Sequence, residues 1–281
     1  MLTALLNEYK SSIKSPDTEE KLDLFLYRPL GFIIAKISKL LLMTPSMLSI
    51  IGLFAGLMAA YHFLYSDNRM GLVLASLYFV LSGVLDSADG QLARISNQST
   101  PLGLILDGIC DSIVMIAVYF ACALPFVATH GGGFALIVFL ALYLHSFQCA
   151  ILDFYHREYL YFGYGKIEDD TYWNPTTTDA ISQLNNSKNK LERIMNSLRL
   201  SWVKKQQLLT TRSELERTKM RKYILGCSST DRDKFKQIYR KNNIGLLPFW
   251  RLIGPNAHTF LIIIFMFAGR FDLFIVVFDL F

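Results

Sequence analysis

The chain has 281 residues, of which 52% are apolar and 18% charged, and it carries a net charge of +5. The basic residues lie mainly in two blocks, so the excess charge is not the footprint of a nucleic-acid binder, and the acidic and basic residues are absent from long stretches. No Asp, Glu, Lys or Arg occurs between Leu40 and Ser66, between Met70 and Leu85, or between Ser112 and Leu152; a helix needs about 20 apolar residues to cross a bilayer, so the fold class expected is all-α, a polytopic membrane bundle.

Residues 1–24 read as a polar leader of mixed charge, without the apolar core of a secretory signal. From Pro29 to Met43 the apolar residues Leu30, Ile33, Ile34, Ile37, Leu40 and Leu41 form one helical stripe interrupted by Lys36 and Lys39. That pattern predicts an amphipathic helix in the membrane interface. Crossings are expected at about 45–65, 70–94, 100–127 and 132–153, the last two separated by a turn at His130-Gly131-Gly132-Gly133. Residues 154–250 are polar, with a turn at Trp173-Asn174-Pro175 and a helix expected over Asp179–Leu225, its loose stripe being Leu184, Leu191, Ile194 and Leu198. A lid, a dimer contact or a plain surface helix would each fit that insertion. A fifth crossing is expected within Leu252–Gly269, and Leu273–Phe281 is about half a crossing long. The organisation is thus a leader and interfacial helix (1–43), a membrane core (44–153), an insertion (154–250) and C-terminal membrane segments (251–281), with five clear crossings and a short sixth.

Lys and Arg set the orientation. Six lie in the leader and interfacial helix, one in the 66–69 turn, none in the 128–133 turn and nineteen in 154–251. The basic sides are expected to be cytosolic, which puts the stretch Leu85–Ser112 at the cytosolic end of the second and third crossings. The four cysteines lack metal-ligand spacing, so neither zinc nor disulfides are expected. His62, His145 and His258 lie in or beside apolar segments and read as bundle-interior residues, His258 being the one placed to meet a substrate.

The stretch LDSADGQLARISNQSTPLGLILDGICDS carries the chemistry. On a helix, Asp86, Asp89, Gly90, Ala93 and Arg94 share one face, and on the next helix Gly103, Asp107 and Asp111 share another. Pro101 suits a first helical turn. Two antiparallel helices would therefore point four carboxylates at each other, with small residues beside them. Carboxylates in a membrane segment each cost about 2.5–3.5 kcal/mol on insertion scales and also repel one another, so something positive is expected between them. Hard divalent cations, Mg²⁺ or Mn²⁺, suit all-oxygen ligands. Two such ions held as a pair suit phosphoryl chemistry, and Arg94 adds a cation with bidentate geometry for phosphate. Taken alone, paired intramembrane aspartates also fit a proton or ion pathway in a transporter.

These residues resemble, without a gap, the signature of the CDP-alcohol phosphotransferase (CDP-alcohol phosphatidyltransferase) family, D-x2-D-G-x2-A-R-x8-G-x3-D-x3-D. The run Thr44-Pro45-Ser46-Met47-Leu48-Ser49-Ile50-Ile51-Gly52 is similar to the family's T-P-N-x-x-T-x-x-G, with Ser46 and Ser49 standing where the family has Asn and Thr. The resemblance covers about residues 28–153 and, weakly, 252–281. It implies six crossings, a juxtamembrane helix, a polar cavity open to the cytosol and a homodimer. It also implies transfer of a substituted phosphate from a CDP-alcohol donor to a hydroxyl acceptor in membrane lipid synthesis, releasing CMP. Asp86, Asp89, Asp107 and Asp111 would be the metal ligands and Asp111 also the base. Asp86, Asp89, Gly90, Ala93, Arg94, Gly103 and Asp107 would bind the CDP moiety. The signature is common to enzymes that use CDP-diacylglycerol with a polar alcohol (inositol, inositol phosphate or glycerol phosphate) and to those that pass a CDP-linked head group to diacylglycerol or ceramide. The polar residues Asp153, Arg157 and Arg251 at the crossing ends favour the first, as a place to order a polar acceptor.

Overall fold

The structure is a computed structural model that describes residues 2–15, 17–65, 68–167, 173–210, 212–252 and 254–279. Among these there is no strand. The chain forms two compact units, one of residues 1–146 and 255–281 and the other of residues 147–254.

In the first unit the leader is not featureless. It forms helix α1 (Leu2–Ser12), then a turn that buries Ser12, Ser15, Thr18, Glu19 and Glu20. A π-helical turn, Asp23–Tyr27, leads directly into α2 (Arg28–Leu40), which has Pro29 in its first turn. The two faces of α2 divide in a way its stripe explains only in part. Gly31, Phe32, Ala35 and Ser38 face the protein, whereas Leu30, Ile33, Ile37 and Leu40 remain exposed. An apolar row turned away from the protein beside Lys36 and Lys39 is what an interfacial helix presents to lipid. The inward row is small because α4 runs close by: a Cβ on Gly31 would stand 2.7 Å from Gln91 Oε1 and 3.1 Å from the Ala88 nitrogen.

Helices α3 (Pro45–Tyr65), α4 (Arg69–Ser96), α5 (Pro101–His130) and α6 (Gly132–Tyr164) are each long and apolar enough to cross a membrane, as is a fifth segment within Ser229–Phe267. Their ends carry the expected chemistry. Asn68 caps α4 by accepting from Gly71 N at 2.9 Å, and Thr100 caps α5 by accepting from Gly103 N at 3.0 Å, with Pro101 following. Asn97 closes α4 in the left-handed region (φ 53°), and Gly131 (φ 81°) is the turn between α5 and α6. Residues 66 and 67 of the expected 66–69 turn lie outside the described residues. Small residues on α3 (Gly52, Ala55, Gly56, Ala59) bring α4 and α5 near, and a Cβ on Gly56 would stand 2.4 Å from Val114. The end of the bundle away from the aspartates is aromatic: Phe63, Phe79, Tyr119 and Phe134 pack with Phe271, Phe274 and Ile275. Phe271, Phe274 and Ile275 thus turn one face of the C-terminal segment into the bundle, while Leu273, Val276 and Val277 are exposed.

The division between the units falls within α6, at Ser146/Phe147, and again at Gly254/Pro255. The second unit corrects one expectation. The single helix expected over Asp179–Leu225 is three: α7 (Thr177–Asn185), α8 (Lys190–Leu209) and α9 (Glu214–Gly226), followed by α10 (Ser229–Asn243) and α11 (Leu247–Leu252). Capping residues break it. Asn189 accepts from Glu192 N at 2.8 Å, and capping boxes form at Thr176/Asp179 and Ser213/Glu216. Short polar side chains that satisfy the first amides of a helix compete with its continuation from the preceding turn. Gly226 is the last residue of α9, where the sequence places a helix end. The stripe residues Leu191, Ile194 and Leu198 are exposed, and α8 instead buries Met195, Asn196, Val203 and Gln206. Tyr161, Phe162, Ile167, Trp173 and Ile224 form this unit's core. The first unit also holds α12 (Pro255–Phe267), α13 (Phe271–Phe274) and a π-helical turn, Ile275–Asp279.

Candidate active site

The four aspartates come together where α4 and α5 face each other next to the start of α3. Carboxylate oxygens of Asp86, Asp89 and Asp107 all lie within 4.8 Å of one another. Asp111 lines the same pocket, and the helix spacing sets the carboxyl groups as rungs, Asp89 level with Asp107 and Asp86 level with Asp111. Carboxyl groups gathered this closely call for protons or a cation among their oxygens, because bare carboxylates repel. Asp89 is buried and accepts from Ser49 Oγ at 2.5 Å. The pocket is completed by Gly52, Ser82, Cys110 and Val114. Gly52 leaves its carbonyl free to accept from Ser82 Oγ at 2.8 Å, which locks α3 to α4 beside the site. An all-oxygen donor set of this size fits Mg²⁺ or Mn²⁺ and does not suit the soft metals.

The profile of the family described as CDP-alcohol phosphatidyltransferase matches residues 42–182, half of the chain. The chain belongs to this family. Among curated relatives, a Mycobacterium tuberculosis (strain ATCC 25618 / H37Rv) protein provisionally named cardiolipin synthase is 43% identical over 77 residues, covering 27% of this chain and 35% of that protein. The archaetidylinositol phosphate synthase of Pyrococcus horikoshii is 35% identical over 81 residues, 29% of this chain and 41% of the relative. The matches thus span well under half the length of the curated relatives. No solved structure matches the chain.

The remaining residues of the CDP-alcohol phosphatidyltransferase signature take distinct places. Gly90 and Ala93 lie on the α4 face of Asp86 and Asp89. Arg94 folds back across Gly90, since a Cβ there would stand 3.4 Å from Arg94 Nη1, and its Nε donates to the carbonyl of Ser12 at 2.5 Å. Gly103 sits in the first turn of α5, where a Cβ would meet Thr100 Oγ1 at 2.9 Å and Ser46 Oγ at 3.9 Å. Thus both serines that depart from the family's opening motif lie beside signature residues, and Ser49 takes the contact with Asp89 that the replaced threonine's hydroxyl could also make. The sequence signal for Ser49 was its place in that motif. For Ser12 and Gln91, which also meet at Arg94, the sequence holds no signal.

The polar residues expected to order an acceptor behave otherwise. Asp153 accepts from Arg157 Nε at 2.7 Å, Trp202 Nε1 at 3.3 Å and Gln206 Nε2 at 3.1 Å, all within the second unit. Its carboxylate thereby holds α8 against α6. The side chain of Arg251 lies outside the described part of the structure. His145 and His258 are buried with ring centroids 4.5 Å apart, and His62 stacks on Tyr78. His258 packs against Phe274 as well; these are the interior positions that their apolar surroundings indicate.

Proposed function

We propose that this protein is an integral-membrane enzyme that transfers a substituted phosphate from CDP-diacylglycerol to a hydroxyl of a polar alcohol such as inositol, inositol phosphate or glycerol phosphate, releasing CMP. The observation that carries this reading is the pair of carboxylate rungs, Asp89–Asp107 and Asp86–Asp111, formed by an unbroken family signature. The names of the two relatives, synthases of cardiolipin and of archaetidylinositol phosphate, support a lipid product. Asp153, fully engaged within its own unit, lends the choice of donor no support.

In this reading the four aspartates hold two divalent ions, which when bound neutralise charge on the donor phosphates. Gly90 and Ala93 leave room for the CDP moiety against α4, Gly103 does the same at the first turn of α5, and Arg94 provides a fixed cation for phosphate oxygens. Asp111 takes the proton of the acceptor hydroxyl as its oxygen bonds to the donor phosphorus. The bond from that phosphorus to the CMP oxygen breaks, and CMP leaves. The basic blocks support a site that faces the cytosol. Cysteine labelling at Ser99 and Ser213 should come from one side of the membrane and at Gly132 from the other.

The test is a matrix of CDP-donors against acceptors with membranes containing the protein. CMP should appear from CDP-diacylglycerol only when a polar alcohol is added, and excess EDTA should abolish it. CMP formed instead from a CDP-linked head group with diacylglycerol or ceramide would reverse the donor assignment. No CMP from any pairing would sink the reading.

A further inference from the structure

The leader meets the signature helix at Arg94 and at Gln91, one turn apart on one side of α4. Ser12, at the end of α1, is fully buried. Arg94 Nε donates to its carbonyl at 2.5 Å, and Gln91 Nε2 donates to its hydroxyl at 3.1 Å. Gln91 is itself fully buried and also donates to the Arg28 carbonyl at 3.2 Å. Arg28 continues the chain of contacts, with Nη1 to Ser87 Oγ at 3.2 Å and Nε to Glu19 at 2.9 Å. Ser87 and Gln91 occupy unassigned positions of the signature, one turn apart on α4.

An arginine side chain has many rotamers, and freezing it on a ligand costs entropy unless the fold has already done so. Here the guanidinium is held across Gly90, a residue without a side chain on the face of Asp86 and Asp89. We infer that the leader completes the nucleotide end of the site: Ser12 and Gln91 are positioning residues that hold Arg94 over Gly90, ready for the donor's diphosphate. The inference rests on the CDP-alcohol reading above. A leader that plugged the site would act with the opposite sign, since loosening it would help the donor to bind.

The experiment uses the full chain in detergent with Mn²⁺ and measures CMP release against CDP-diacylglycerol concentration, together with equilibrium binding of CDP. Gln91→Met keeps the length of the side chain and loses both of its donated bonds. Ser12→Ala removes the hydroxyl and leaves the carbonyl. The donor KM and the Kd for CDP should rise roughly tenfold in Gln91→Met and roughly threefold in Ser12→Ala, as expected for one or two lost hydrogen bonds, with kcat and the acceptor KM within about twofold. Arg94→Lys should weaken donor binding further, and adding Gln91→Met to it should cost nothing more, because Gln91 acts through Arg94. An unchanged or lowered donor KM, or an additive double variant, would overturn the inference. Should Gln91→Met fail to give a monodisperse protein, Ser12→Ala and its combination with Arg94→Lys decide by the same criteria. Wild-type protein that binds CDP but releases no CMP from CDP-diacylglycerol would sink the donor assignment alone, and the CDP affinities of the variants would still decide the role of the leader.

Discussion

The two units treat charge differently: the first gathers carboxylates beside carboxylates, with Asp89 buried among them, while the second buries an arginine among rings. In the second unit the guanidinium of Arg217 sits 4.4 Å from the Phe154 ring centroid and 5.3 Å from that of Trp173, and donates to the Asn174 carbonyl at 3.0 Å. Glu158 is buried nearby and acts on it electrostatically. That charge is compensated within its own unit. Asp86, Asp89 and Asp107 lie beside one another, Asp89 accepting from Ser49, and among the described residues none of the three forms a salt bridge. A buried charge balanced by its surroundings serves the fold, whereas a like-charged cluster is arranged for something that arrives from outside.

Removing charge should therefore have opposite consequences in the two units. Asn at Asp86, Asp89, Asp107 or Asp111 should lower CMP release by about a hundredfold or more, as when a centre of transition-state charge stabilisation is lost. Thermal unfolding should shift upward or stay in place, because one of two repelling carboxylates is gone; a large fall in Tm would erase the contrast. Arg217→Met should do the reverse for its unit, costing about 2 kcal/mol of stability by leaving the buried Asn174 carbonyl without its donor and Glu158 with only Arg212, 3.8 Å away, read as a lowered midpoint or as early proteolytic cleavage within 147–254.

Asp23 is an intermediate case that sharpens the comparison. It is a buried carboxyl outside the crossings, near the buried Glu19 and Glu20, and accepts from Glu20 N at 3.2 Å and from the Asn256 amide. Burial pushes it from 3.8 up to about 6, with Arg28 pulling it down and Glu19 and Asp86 pushing it up. Since the folded value is the higher one, the folded state binds the extra proton between these two values. Stability should fall as pH rises from about 4 to about 6, by about 3 kcal/mol in all, and the penalty should then be constant at higher pH. Asp23→Asn should flatten that slope in a pH series of denaturant midpoints. The smallest effect is expected from Ser49→Ala, which removes one bond to Asp89 and should cost about 1 kcal/mol, seen as a several-fold loss of activity at limiting Mg²⁺ that more Mg²⁺ partly restores.

Most of the site was legible because its code is local. Spacings of three and four along α4 and α5 put Asp86, Asp89, Asp107 and Asp111 on facing sides, and a bilayer makes four such carboxylates hard to explain otherwise. The crossings were legible for the same reason, since the absence of charge over some twenty residues has few other meanings. What was not legible is tertiary. Nothing in the composition of residues 1–24 shows that Ser12 meets Gln91 and Arg94, because those contacts are 79 and 82 residues apart. The stripe on α2 could not show which of its faces meets the protein, since small and large apolar residues alternate around it. In α8 the stripe pointed outward and the buried face held Asn196 and Gln206, polar residues whose partners are set by packing. The break of Asp179–Leu225 into three helices was written in Asn189 and Ser213, whose capping role competes with helix propensity and shows only once the turns exist.

The hairpin of α4 and α5 also works as a folded ruler. Asp86 lies ten residues before Ser96, the end of α4, and Asp111 ten residues after Pro101, the start of α5; for Asp89 and Asp107 the counts are seven and six. At about 1.5 Å per residue, the two members of each rung stand at nearly the same depth below the bend, about 15 Å for one rung and 10 Å for the other. Lengthening the bend would leave those depths matched. One residue inserted in either arm between bend and motif would instead turn two carboxylates by about 100° and slide them past their partners. A gene encoding this hairpin can therefore tolerate insertions between Asn97 and Thr100 far better than between Asp89 and Ser96 or between Pro101 and Asp107.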